Sequence, residues 1–161
     1  MAYINVNSTG KFVKLDLVAT GADFSSNISA AFAANANVST VPALQDVTLN
    51  ATPGLFRWSQ LDSASEYVLT TPSTNSVAVT LVLDDTTFFT GTGSTPGIFA
   101  LVNAKTLTYF RLYWSGTATG SKYVQGKGYL SALAPTVNPG SPVWTSPITI
   151  EVVGDYEQGT V

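Results

Sequence analysis

The segment Val77-Ala78-Val79-Thr80-Leu81-Val82-Leu83 constrains the fold more than any other part of the chain. Branched aliphatic side chains occupy every odd position, with Ala78 and Thr80 between them. A repeat of two residues places Val77, Val79, Leu81 and Leu83 on one face of an extended strand, and β-branching favours that conformation over a helix. The run stops at Asp84-Asp85-Thr86. The same alternation recurs along the chain. Between Phe12 and Val18, Val13, Leu15 and Leu17 are apolar while Lys14 and Asp16 sit opposite, and Gly10 and Gly21 punctuate the ends. Gln45 to Leu49 reads as a second strand. Leu107 to Trp114 and Tyr123 to Leu130, joined by a turn from Gly116 to Ser121, read as a hairpin. After the Pro135 to Pro147 segment, Ile148, Ile150 and Val152 alternate with Thr149 and Glu151 in a last strand that closes at Gly154. Such a chain is mainly β and mostly antiparallel, an antiparallel β-sandwich or distorted barrel.

One helix interrupts the strands. Pro96 near its start, Ile98, Leu101 and Val102 at helical spacing and Lys105 in the last turn predict a short α-helix at about 95–105, packed on one side or end. Ala22 to Val41 is small and polar, with scattered Phe24, Ile28 and Phe32, and is compatible with a short helix or a surface loop. The glycines of Gly126-Lys127-Gly128 lack the spacing of a phosphate loop and predict a strand irregularity or bulge. A long arm at about 50–75 separates the second strand from Val77. It carries the breakers Pro53, Gly54 and Pro72, the aromatic residues Phe56 and Trp58, and the acids Asp62 and Glu66. Connections of that length are uncommon in compact domains unless they have a function. Tyr67 to Thr71 has strand character, so an extended hairpin and a loop are both open.

Residue chemistry excludes most catalytic roles. The 161 residues contain no Cys and no His, which removes thiol nucleophiles, histidine acid–base relays and the usual zinc and haem ligands. No catalytic, cofactor-binding or metal-binding residue is assigned, and the chain is expected not to be an enzyme. Asp84-Asp85 is read as a turn and capping pair, because no third acid lies near enough in sequence to complete a Ca²⁺ or Mg²⁺ site. With 45% hydrophobic and 11% charged residues, the chain has material for one packed core, and residues 1–161 are expected to form a single domain. Seven Lys and Arg against ten Asp and Glu give a net charge of −3, the wrong sign for gripping nucleic acid. Met1-Ala2-Tyr3-Ile4-Asn5 has no secretory character, and no run approaches the ~20 apolar residues of a membrane span. A soluble protein made in a cytoplasm is expected. The Asn-x-Ser/Thr triplets at Asn7, Asn27, Asn37 and Asn50 are what a chain rich in Ser and Thr produces by chance.

The strand Leu107 to Trp114 has two demanding faces. Phe110, Leu112 and Trp114 form one, and Tyr109, Arg111 and Tyr113 the other, so the second also calls for cover from the helix, a second sheet or another subunit.

The order of segments is more specific than any one of them. The strand Ser76 to Leu81, the helix Gly97 to Ala104, the strand Tyr109 to Tyr113, the Gly-rich strand through Gly128 to Leu133, and Ser146-Pro147-Ile148-Thr149-Ile150-Glu151-Val152 resemble the tail tube proteins of long-tailed phages. Tube proteins of contractile tails and of type VI secretion are structural relatives of that family. The likeness covers roughly half of the chain and departs most over Ala22 to Val41. It implies a virion structural protein, assembled in the host cytoplasm, whose copies form hexameric rings that stack into a hollow conduit for DNA ejection. It also implies other tail proteins as partners, namely tape measure, tail terminator and tail tip components, with DNA passing through unbound and no membrane. The arm then corresponds to the stacking loop, with Leu55, Phe56, Arg57, Trp58, Asp62 and Glu66 contacting the neighbouring ring. Lys14, Asp16, Thr149 and Glu151 become candidates for the lumen lining. Two other readings remain open on the residues: a capsid-decorating or baseplate-type β-sandwich bound to another virion protein, and a carbohydrate-binding sandwich using Trp58, Trp114 or Trp144.

Overall fold

The computed structural model describes residues 12–19, 28–33, 35–59 and 65–161. Among the described residues nine strands form one antiparallel sheet: β1 (Lys14–Ala19), β2 (Ser39–Val41), β3 (Leu44–Ser59), β4 (Glu66–Val82), β5 (Leu107–Tyr113), β6 (Lys122–Ser131), β7 (Thr136–Asn138), β8 (Ser141–Val152) and β9 (Glu157–Thr160). The order across the sheet is β2-β1-β5-β6-β8-β4-β3, with β7 paired to β8 and β9 to β6. The mainly β, antiparallel expectation holds, but the strands belong to a single sheet. It is not a closed barrel, because β2 and β3, at the two ends of the path, do not pair with each other.

Alternation decides which side is the core. Leu15 and Leu17 of β1, Phe110 and Leu112 of β5, Leu130 of β6, Ile148 and Ile150 of β8, and Val77, Val79 and Leu81 of β4 are all buried in one cluster. A π-helical turn at Thr86–Thr90 and the helix α2 (Ile98–Asn103) join this face from outside the strands through the buried side chains of Phe88, Ile98 and Leu101. The helix occupies the middle of the span expected from Pro96 and Lys105.

The second face of β5 finds its cover in the segment whose character was open. Helix α1 (Ile28–Ala33) buries Ala31 and Phe32 against Val18 and Tyr109. The guanidinium of Arg111 lies between two rings, 4.5 Å from the centroid of Phe32 and 4.3 Å from that of Tyr123. It donates to Gln125 Oε1 at 3.1 and 2.7 Å, so a charge on a covered face is both paired and stacked.

Two expectations need correction. Gly126 and Gly128 mark no bulge, for β6 keeps an unbroken register with β5 from Lys127 to Tyr123 and with β8 from Gly128 to Ser131. A Cβ on Gly126 would lie 2.9 Å from the ring of Phe110, and one on Gly128 would lie 2.4 Å from the carbonyl oxygen of Glu151. The glycines are there for close approach, where β6 passes from pairing with β9 to pairing with β8. The Pro135 to Pro147 segment is also no mere connection, since it holds β7 and the first half of β8. Pro142 and Pro147 interrupt the alternation there and hide the strand from a sequence reading.

Gly128→Ala is therefore expected to destabilise the subunit by about 1–3 kcal/mol, because its neighbour is backbone that cannot step aside. Gly140→Ala, with nothing within 4 Å of the new methyl, serves as the near-neutral control. Urea denaturation of the two variants checks the contrast.

Candidate functional site

Strand β4 pairs with β8 only from Asn75 to Val82, yet its pairing with β3 continues to Ser59 and Glu66. Beyond Asn75 the two strands run on as a free ribbon of about nine residues each, roughly 30 Å long at ~3.3 Å per residue. Of the two forms left open for the arm, the extended hairpin is the one found. Pro53-Gly54 does not end it. The register shifts between Thr52 and Gly54, and a Cβ on Gly54 would meet the carbonyl oxygen of Pro72 at 2.4 Å. The bulge absorbs the missing N–H of Pro53 and the ladder resumes.

Cross-strand register sorts the arm into two faces. Phe56 stands opposite Leu69 and Trp58 opposite Tyr67, with Phe56 and Trp58 rings 5.8 Å apart and Trp58 and Tyr67 rings 5.4 Å apart, both stacked. The reverse face carries Leu55, Val68 and the exposed ion pair of Arg57 with Glu66 at 3.2 Å. Phe56 is 55% and Leu69 57% exposed, so this apolar ladder covers none of the subunit's own core. Asp62 lies outside the described residues.

The root of the arm is fastened by the turn that follows β8. The Tyr156 hydroxyl donates towards the carbonyls of Asn50 at 2.7 Å and Ser76 at 2.8 Å, residues that face each other across β3 and β4. Ser73 donates to Asp155 Oδ1 at 2.6 Å, and the Asn75 amide to the Gly154 carbonyl at 2.9 Å. Partial burial raises the Tyr156 phenol above its usual pKa of 10.0.

Strands β3, β4 and β8 present a polar outer face. Register aligns Asn50, Ser76 and Glu151 in one row, Thr48, Ala78 and Thr149 in the next, and Asp46, Thr80 and Pro147 in a third. The face holds two acids and no cation. Lys14 and Asp16 lie elsewhere, on β1, which β5 and β6 separate from β8. Asp16 is only 3% exposed and accepts from Lys14 Nζ at 2.8 Å and Thr40 Oγ1 at 2.7 Å. The structure thus brings Thr149 and Glu151 together and leaves Lys14 and Asp16 as a separate, largely buried polar pair. The three tryptophans are dispersed as well: Trp58 on the arm, Trp114 against the core and Trp144 on β8.

A feature not anticipated from sequence lies at the other end of β4. Phe88, Phe89, Phe99, Leu133, Pro135 and Trp144 line a groove of about 490 Å³, with Asp84 and Asp85 at its edge. Phe89, Phe99 and Trp144 are at least half exposed. Asp84 Oδ1 accepts from the Thr87 amide at 2.9 Å, the turn role read from its sequence. Its Oδ2 is buried without a partner among the described residues. Three aromatic residues on separate segments make this groove, and only their convergence in space reveals it.

No family model and no curated protein matches the chain. Its fold is similar to that of three solved assemblies. The SPP1 tail tube matches at 13% identity and a TM-score of 0.65 over 92% of this chain and 77% of that one. The tail of an empty gene transfer agent particle, with C6 symmetry, matches at 11% identity and a TM-score of 0.53 over 75% and 85%. A chain of the native gene transfer agent virion matches at 9% identity and a TM-score of 0.54 over 95% and 98%. The chain has the fold seen in these tail structures.

Two outcomes follow from the placements. Asp16→Lys buries a second cation beside Lys14 and is expected to cost about 3–5 kcal/mol, whereas exposed Glu151→Lys stays within about 0.5 kcal/mol; equal melting temperatures would contradict the burial. Tyr156→Phe is expected to cost about 1 kcal/mol at neutral pH. Because the folded phenol holds its proton more tightly than the unfolded one, its contribution is complete below pH 10.0. It is lost as pH rises through the folded-state value. Denaturation curves across that range should show less alkaline loss in the Phe variant.

Proposed function

We propose that the chain is a structural, non-enzymatic subunit that self-assembles into stacked hexameric rings forming a hollow tail tube for DNA passage. The observation that carries this reading is the free arm. A two-stranded ribbon with an aromatic ladder exposed along one face is wasteful on an isolated subunit, since burying each such side chain is worth about 1.5–3 kcal/mol. The fold likeness to the SPP1 tail tube and to gene transfer agent tails supports the role, and the C6 symmetry of one of those tails supports rings of six. The open sheet supports it as well. Strand β3, 16 residues long, has no neighbouring strand on its outer side among the described residues, an edge that invites aggregation unless an adjacent subunit occupies it.

In this reading Leu55, Phe56, Arg57, Trp58, Asp62 and Glu66 belong to the contact between rings. The polar face bearing Thr149 and Glu151 lines the channel, where an acidic, cation-poor surface repels phosphate and lets DNA slide. Lys14 and Asp16, turned towards Thr40, are left out of that lining. The protein resides in the virion, is assembled in the host cytoplasm, and meets the tape measure, tail terminator and tail tip components at the ends and interior of the tube.

The test replaces Phe56 and Trp58 together by Ser. Both lie off the core, so circular dichroism and gel filtration should show a folded subunit, while electron microscopy at concentrations where the wild type polymerises should show no long tubes. Normal tubes from the folded variant would remove the arm from the inter-ring contact.

A further inference from the structure

We infer that the aromatic groove formed by Phe89, Phe99 and Trp144 is the receptor for the arm of a second copy of this chain; the inference rests on the tube reading and names the surface that the arm meets. Knob and receptor sit at opposite ends of one strand. The arm tip adjoins Glu66 and the groove adjoins Val82 and Leu83, with the Leu83 amide donating to the Trp144 carbonyl at 2.8 Å. Across the 17 residues of β4 that separation is about 55 Å. Between chains in the same orientation, a contact between unlike ends leaves one knob and one receptor free and, repeated along one direction, continues without closing. That is the geometry which adds ring upon ring.

The two surfaces are complementary in chemistry. The ladder of Phe56, Trp58, Tyr67 and Leu69 is flat and apolar, and the groove offers three exposed rings in return. The groove lining includes Asp84 and Asp85 and no cation. Asp85, which is exposed, makes no capping hydrogen bond to its own helical turn. The indole N–H of Trp58 and the hydroxyl of Tyr67 supply donors on the aromatic face itself. Aromatic rings that carry polar donors and bury against other rings are the usual anatomy of an assembly hot spot.

The chain has no cysteine, which allows a direct test. Ser59→Cys at the end of β3 and Ala100→Cys beside Phe99 are both exposed and spare the rings. A chain carrying both, assembled into tubes and treated with a short bis-maleimide, is expected to give a ladder of covalent multimers well beyond the dimer. Either single variant gives dimers at most. Tubes that form without the ladder would overturn the arm-to-groove contact and leave the tube reading intact. A wild-type chain that forms no tubes at any concentration would overturn the tube reading, and this contact with it. If the paired cysteines hinder assembly, Phe99→Ser decides: folded subunits that no longer polymerise support the receptor role, and folded subunits that assemble like the wild type overturn it.

Discussion

The subunit depends on the division of labour along β4. From Asn75 to Val82 the strand is flanked by β3 and β8, and its alternate residues Val77, Val79 and Leu81 lie in the core. From Glu66 to Thr74 it keeps β3 but loses β8, and burial stops with it. One strand thus supplies a deeply packed row of the domain and an exposed one. Packing free energy collected in the first half holds the second half in place, since a lone two-stranded ribbon is marginal in water.

The interface between the halves is polar and specific. Tyr156, Asp155 and Gly154 reach across from the end of β8 to grip Asn50, Ser73, Asn75 and Ser76. Hydrogen bonds suit this position, because an apolar contact at the root would tolerate sliding, whereas paired donors and acceptors fix one register. The Tyr156 ring meanwhile packs edge-on to Phe110, 6.3 Å between centroids, so the clasp is anchored in the core.

Much of this was legible in the sequence where alternation was clean. Val77 to Leu83 and Tyr123 to Leu130 were visible by their alternation, and Leu107 to Trp114 by the apolar and aromatic residues on both of its faces, one turned to the core and the other covered by α1. Leu15 and Leu17 on the core side of β1, with Lys14 and Asp16 opposite, followed from the same rule. Strand β9, with Gly159 and polar neighbours, carries no such contrast, and Pro142 and Pro147 erase it from the first half of β8. Asp16 shows the limit of reading polarity as exposure. It faces away from the core yet is buried, because α1 and β2 cover that side of the sheet. The arm was recognisable by its length and breakers, but its sidedness needed the register that pairs Trp58 with Tyr67. The groove was illegible, since Phe89, Phe99 and Trp144 become one surface only after folding.

The fastening at the arm root has a mechanical consequence. A pull on the arm tip draws β3 and β4 together, parallel to the strands, so the ladder that holds β4 to β8 is loaded in shear. Its hydrogen bonds then share the force and cannot open one after another, as they would if the strands were peeled apart. The load passes into β8 along the pairs from Asn75 to Val82 and, through Asp155 and Tyr156, into the segment leading to β9 on β6. Tension entering at one end of the subunit is thereby spread over neighbouring strands before it reaches the core.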